Sequence, residues 1–299
     1  RALFGCLVIT LGIAVVAASG KTVRPAWAPF VAGLLFVASL YTKHSFLAAP
    51  AAAFLYLLVR DRRAAAALAG TCLVVGCGIF LTLDVATGGA FAFDLITTNV
   101  NPFNLSGLLG QIRDFGATFA VLILLAVAAA IARLRAALAT GGRLPSALVQ
   151  LSVWDFYFVT ALATIVLAGK VGSWENYFFE PLFAICLYAG LAVAHMPRVR
   201  LAWRPALGVA LPLALLLQLA LMFHTPAIAA RVMAEDGPAN EQMAPILAAA
   251  PDPILSEDMG LLVTNGRPIP FFGFEYTQLA RMGLWDQSWE LFTLRWQQA

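Results

Sequence analysis

Two lysines, a histidine and a short run of carboxylate, amide and phenol groups stand out chemically from an otherwise apolar chain. Lys43 and His44 lie in a Thr-Lys-His-Ser break, residues 42–45, between two apolar stretches. Lys170, Glu175, Asn176 and Tyr177 fall within eight residues of the segment Lys170-Val-Gly-Ser-Trp-Glu-Asn-Tyr-Phe-Phe-Glu-Pro181. A strongly hydrated ammonium between apolar helices is costly unless it has a partner or water. Lys43 and Lys170 are two of only three lysines in the chain. Such groups suit a phosphate, with His44 as a nearby hydrogen-bond donor or base. Glu175 and Asn176 suit sugar hydroxyls, and Trp174 and Tyr177 suit stacking against a ring. A plainer reading stands beside this one: an interfacial lysine that snorkels at a helix turn, and an aromatic belt with a self-contained Lys170–Glu175 pair.

Other polar residues carry less. The loop Asn99-Val-Asn101-Pro-Phe-Asn104 could offer amides to a glycan, but Asn and Pro are ordinary turn formers and that explanation comes first. Asn104-Leu-Ser106 matches an N-glycosylation acceptor, a weak motif. Glu180 precedes Pro181 at a helix start, where the helix dipole accounts for it. Asp155, the Arg113-Asp114 pair, His195 and His224 read as interfacial. The four cysteines sit in apolar runs without metal-ligand spacing and read as buried thiols. No Ser/His/Asp or Cys/His nucleophile set, P-loop, dinucleotide fingerprint or His-rich metal site is present in the sequence.

The elements that position these groups follow from composition. Of 299 residues, 61% are hydrophobic and only 12% charged, against about 25% charged in globular domains. Mean hydropathy is +0.84. No basic cluster interleaves with aromatics, so a nucleic-acid partner is not expected. A membrane span needs about 20 apolar residues. Runs 2–20, 66–83, 117–132, 153–169, 178–194 and 204–223 qualify or come close, and 26–59 is broken at 42–45. One helix over 26–59 would rise roughly 50 Å, too long for a core of about 30 Å. Two short helices, 26–41 and 45–59, put Lys21 and Arg24 on the same side as Arg60, Arg62 and Arg63. With Arg133, Arg135, Arg143, Arg198, Arg200 and Arg204, eleven of the nineteen basic residues then share one face. The positive-inside rule therefore selects eight spans, with the loops of Lys43 and Lys170 and the tail from His224 onward outside.

The expected fold is thus an α-helical polytopic membrane protein of about eight transmembrane helices with a small, incomplete α/β tail. Residues 1–223 form the membrane domain, including short amphipathic pieces of an outer interfacial loop over 84–116. Residues 224–299 form the extracytoplasmic tail. There, Ala239–Ala249, Thr277–Met282 and Gln287–Gln297 read as helices. Ile254–Asp258 and Leu261–Thr264 read as strands, with a turn at Asn265-Gly266. The chain, opening on Arg1, reads as an internal portion of a longer protein.

The Thr-Lys-His-Ser unit between two helices resembles the Lys-Gln/Lys-His turn of C-superfamily integral-membrane glycosyltransferases, the branch with protein-O-mannosyltransferase-like and aminoarabinose-transferase-like enzymes. Gly172-Ser-Trp-Glu-Asn-Tyr-Phe-Phe-Glu-Pro181 is similar to a Gly-Ser-x-x-Asn-Tyr-Phe-x-Glu-Pro stretch of its bacterial members. Ile254–Asp258 and Gly283-Leu-Trp-Asp286 resemble their outer C-terminal portion. The resemblance implies a multi-pass enzyme of the plasma (inner) membrane. It would move a sugar from a polyprenyl-phosphate donor to a lipid, glycan or protein acceptor at the outer face, with inversion. It also implies a catalytic carboxylate in a first outer loop upstream of Arg1, where a divalent metal could also bind, so no residue here is assigned as catalytic base. Lys43, His44, Lys170, Glu175, Asn176 and Tyr177 are the expected substrate-binding residues, the lysines toward the donor phosphate. A secondary transporter or lipid-linked-sugar flippase is the alternative, although such proteins place ionisable groups on broken helices near mid-membrane.

Overall fold

The computed structural model describes residues 2–18, 25–99, 101–173, 175–195, 204–222, 230, 237, 241–252, 254, 256, 259–269, 279, 280 and 283. The chain divides into two compact units, Arg1–Leu83 with Phe103–Leu221, and Asp84–Pro102 with Met222–Ala299.

The first unit is a bundle of apolar helices. Its main members are α1 (Ala2–Ala18), α2 (Ala28–Thr42), α3 (Ala48–Arg60) and α4 (Arg62–Ala86). After α5 (Ala90–Leu95), which belongs to the other unit, it continues with α6 (Leu105–Thr118), α7 (Ala120–Gly141), α8 (Leu144–Gln150), α9 (Val153–Ala163), α10 (Phe179–His195) and α11 (Arg204–Met222). Each of the eight apolar runs of the sequence therefore contains a helix. Three helices are long and apolar enough to cross a membrane, over Arg62–Ala86, Ala120–Thr140 and Asn176–Ala194, and the remaining apolar helices are shorter. The outward surface is strongly apolar, as a bilayer requires: Leu73, Val74, Leu81 and Val85 on α4 and Leu213 and Leu216 on α11 are all exposed.

Contacts fix the relative direction of the first four helices and of α9. Gly12 of α1 lies against Phe36 of α2, and Gly5 against Phe46 just beyond it, so α1 and α2 run antiparallel. Both rings are fully buried, and only a glycine lets α1 approach them this closely. Gly33 faces Thr71, while Tyr41 Oη donates to the Gly76 carbonyl at 2.7 Å, so α2 and α4 run parallel. Because α3 leads directly into α4, it must run back against α2. The chain thus reverses at 43–47, and the two-helix reading of 26–59 holds. Thr160 Oγ1 on α9 donates to the Ala48 carbonyl at 2.9 Å, and Phe156 meets Tyr56 edge-on with ring centroids 6.0 Å apart, making α3 and α9 antiparallel. Gln218 of α11 donates to the Thr118 carbonyl at 2.5 Å and accepts from the amides of Val121 and Leu122, closing the start of α7.

One end of the bundle therefore carries Lys43 and the 170–178 segment. The other carries Arg60, Arg133 and Asp155. At that second end the guanidinium of Arg133 donates to both carboxylate oxygens of Asp155, at 2.5 and 2.6 Å. Asp155 also accepts from Tyr188 Oη at 2.5 Å and closes a capping box with Ser152 at the start of α9. Asp155 is buried, so its reading as an interfacial residue is corrected: it is the hub joining α7, α9 and α10. Arg60 lies over the Tyr56 ring and donates to the carbonyls of Val149 and Leu151, tying α3 to the C-terminal end of α8.

In the second unit, α5 is preceded by a turn in which Asp84 accepts from the amides of Gly89 and Ala92, and is followed by a 3-10 turn, Thr97–Asn99. Residues 241–249 form α12, and Met259–Thr264 form α13. No strand occurs among the described residues, so the α/β expectation for the tail is corrected to helical. Leu261–Thr264, aliphatic and β-branched, reads as a strand by propensity but is the body of α13. Asn265-Gly266 is a turn as expected, yet it ends a helix. Gly266 has φ 66°, its amide donates to the Val263 carbonyl, and the Arg267 amide donates to the Leu262 carbonyl. A left-handed residue serves a hairpin and a helix C-terminus equally well. The expected Gln287–Gln297 helix lies outside the described residues, as do Leu255, Glu257 and Asp258 of the expected first strand and most of Thr277–Met282.

Candidate functional site

The lysine-bearing end is built from two turns and the starts of two helices. Lys43 is the first residue after α2, in extended conformation. Its turn closes through Phe46 N–H to the Lys43 carbonyl, 3.0 Å, and Leu47 N–H to that of Ser45, 2.9 Å. Phe46 is buried against α1 and anchors the turn.

The second turn follows α9. A 3-10 turn, Thr164–Gly169, leads into Lys170, and Gly172 at φ 84° then reverses the chain, a conformation open to glycine. Ser173 Oγ donates to the Ala168 carbonyl and Ser173 N–H to that of Lys170. Gln111 of α6 donates to the carbonyls of Ala168, 3.3 Å, and Ser173, 3.5 Å. Asn104 N–H donates to the Gly169 carbonyl at 2.7 Å, and Phe103 forms a single antiparallel bridge with Lys170. The Lys170 backbone is thus clamped from both sides. Residues Glu175–Phe178 form a further 3-10 turn leading into α10, with Phe178 stacked on Phe115 at 4.6 Å.

These turns meet at Lys43. Its ammonium donates to the Asn176 carbonyl at 2.5 Å and stands 5.1 Å from the ring centre of Phe179, 5.4 Å from that of Tyr177 and 5.6 Å from that of Phe46. Aromatic faces attract a cation more strongly when water is partly excluded. Burial holds Lys43 below the usual lysine range, while the Glu180 carboxylate works in the opposite direction. Burial likewise lowers Lys170. His44 lies below the ordinary histidine value through desolvation first, then through the positive charges of Lys170 and Lys43. Both lysines therefore lie within electrostatic reach of one imidazole, and this end of the bundle is a concentration of partly desolvated positive charge with a neutral histidine at neutral pH.

Of the six residues singled out in the sequence, Lys43, Asn176 and Tyr177 are in contact, and His44 and Lys170 share their neighbourhood. Asn176 takes part through its backbone carbonyl, not its amide side chain. Glu175 contributes its backbone to the 3-10 turn, and its side chain, like Trp174, lies outside the described residues. Asn104 caps α6, its side chain accepting from Ser106 Oγ at 2.7 Å and Gly107 N–H at 3.1 Å, in keeping with the structural reading of that loop. Arg113 and Asp114 form an exposed pair.

Glu180 is the residue the sequence concealed. It is 3% exposed and does stand in the first turn of α10, but its carboxylate accepts from Ala48 N–H at 3.2 Å and Ala49 N–H at 3.3 Å, the first amides of α3. To its place in the first turn of its own helix the structure thus adds a second role, a cap on a different helix. Its only sequence signal is a Glu in an apolar helix start, which local chemistry already accounts for. Among the described residues, no group of three His, Cys, Asp or Glu side chains converges as metal ligands do.

Compared with known proteins, the chain matches no family model, no curated protein and no solved structure.

Proposed function

We propose that this chain acts as a membrane glycosyltransferase, which moves a sugar from a polyprenyl-phosphate-linked donor to a lipid, glycan or protein acceptor. The observation that carries the reading is the grouping of Lys43, His44 and Lys170 at one end of an apolar bundle, with aromatic rings around Lys43. A phosphate leaving group gathers negative charge as its bond to the sugar breaks, and fixed ammonium groups in a partly dry site stabilise it. Lys43 and Lys170 take that role, and His44, neutral, donates or accepts a hydrogen bond at the phosphate's edge. Tyr177 and the Asn176 side chain form the rim that meets the sugar. Apolar helix faces receive the isoprenoid chain. The resemblance of the 42–45 turn and the 172–181 segment to C-superfamily glycosyltransferases supports the same reading. In it, all eight apolar helices cross the plasma membrane, the shorter ones within the bundle, with the lysine end and the tail outside. Neither Asp155, which is committed to Arg133, nor Glu180, both oxygens of which are held by backbone amides, is the base that takes the acceptor's proton.

The test is transfer of radiolabelled sugar from undecaprenyl-phosphate-linked donors by the full-length protein in membrane vesicles. Lys43→Ala and Lys170→Ala should each lower transfer about a hundredfold, the scale for removing one preorganised charge stabiliser. Unchanged transfer in both variants refutes the phosphate contact. Counterflow of a labelled solute without glycosylated product would replace the enzyme reading with a transporter.

A further inference from the structure

We propose that Glu180 is a positioning residue, the fastening that holds the Lys43 turn against the start of α10. The phosphate-binding reading above supplies its purpose, while its geometry stands independently. Its two carboxylate oxygens are divided between consecutive amides of another helix, Ala48 and Ala49. Those amides open α3, whose N-terminus has no side-chain cap of its own, and in apolar surroundings they would otherwise go unsatisfied. Four residues before Glu180, the Asn176 carbonyl receives the Lys43 ammonium. The start of α10 and the 3-10 turn leading into it therefore grip the intervening turn at both ends, at Lys43 and at Ala48. Lys43 is the C-cap of α2 and Ala48 the first residue of α3, so this double grip sets where the ammonium stands. With both oxygens occupied and the side chain buried, Glu180 acts through Lys43 and does not itself meet a substrate.

The chain has only three lysines, Lys21, Lys43 and Lys170, so amine acylation followed by peptide mass spectrometry reads each one separately. The experiment uses the whole chain in dodecylmaltoside micelles, with and without undecaprenyl monophosphate. Glu180→Gln keeps the volume and one acceptor oxygen but turns an NH2 group toward the second amide and removes the charge. Acylation of Lys43 relative to Lys21 should rise about tenfold, the scale of one lost charge-assisted hydrogen bond, while Lys170 keeps its ratio. Ala49→Pro deletes one donor in the first helical turn without breaking a bond inside the helix, and should give a smaller rise with the carboxylate intact. In the unsubstituted chain the lipid phosphate should protect Lys43, and Glu180→Gln should need about tenfold more lipid for equal protection. Unchanged Lys43 acylation in both variants overturns the positioning role, whatever the lipid does. Release of Lys43 by Glu180→Gln with no lipid protection in the unsubstituted chain supports the fastening and overturns the phosphate reading.

Discussion

Asp155→Ala should be among the most damaging single changes in the bundle, and its cost can be worked from the contacts. The carboxylate accepts from two nitrogens of Arg133, from Tyr188 Oη, and from the backbone and hydroxyl of Ser152. Removing one member of a buried ion pair costs about 3–5 kcal/mol, because the partner's charge is left uncompensated. The Arg133 side chain is 35% exposed and regains some hydration, which lowers that share. The buried Tyr188 hydroxyl has no such route and adds about 1 kcal/mol. A loss of about 3 kcal/mol results. Reversible unfolding in mixed dodecylmaltoside and SDS micelles, followed by tryptophan fluorescence, measures it. Trp154 is a local reporter, edge-on to Tyr157 in the same turn of α9. In a cycle with Arg133→Met, the double variant should lose about 2 kcal/mol less than the two singles added together, since neither charge is then stranded. Additive losses, or an Asp155→Ala loss below about 1 kcal/mol, would reduce the network to an ordinary surface pair.

Three further outcomes are expected besides the lysine substitutions above. Lys170→Ala should raise the His44 titration toward its ordinary value, read by NMR on labelled histidine against the other two histidines; an unmoved titration would separate the two turns. Folding lowers the His44 pKa, so the unfolded chain binds more protons between the folded value and about 6.5. The stability that neutral His44 contributes is then complete above about 6.5 and fades as pH falls through the folded value, and the micelle unfolding assay at stepped pH should show this loss shrink in His44→Gln. Gly12→Ala would place a methyl 2.6 Å from Phe36 Cε1, on a ring with no exposure, and should cost about 1–3 kcal/mol in that assay; no loss would mean that α1 shifts freely over α2.

Much of the architecture was legible because it follows from local composition. Eight apolar runs became eight helices, since a segment without water partners must satisfy its amides internally. The reversal at 43–47 was legible from charge placement, and the contacts of Gly33 and Tyr41 with α4 require it. The Gly172 turn was legible from residue type. Asp155 and Glu180 were not. Each had an adequate local explanation, while their partners stand 22 and 33 residues away for Asp155 and more than 130 for Glu180. The tail was misread where propensity and hydrogen bonding diverge: Leu261–Thr264 favours extended backbone in isolation, but the Gly266 cap and its neighbours close a helix.

By itself, then, the sequence determined that this is a helical, bilayer-suited chain with Lys43 and Lys170 set apart from its arginine-rich turns, because hydropathy and charge are properties of the residues alone. Only the tertiary structure decided which amides the Glu180 carboxylate satisfies, which rings surround Lys43, and that Asp155 is a buried hub. A hydrogen bond or an ion pair needs atoms within about 3 Å, and helix packing, not spacing along the chain, brings those atoms together.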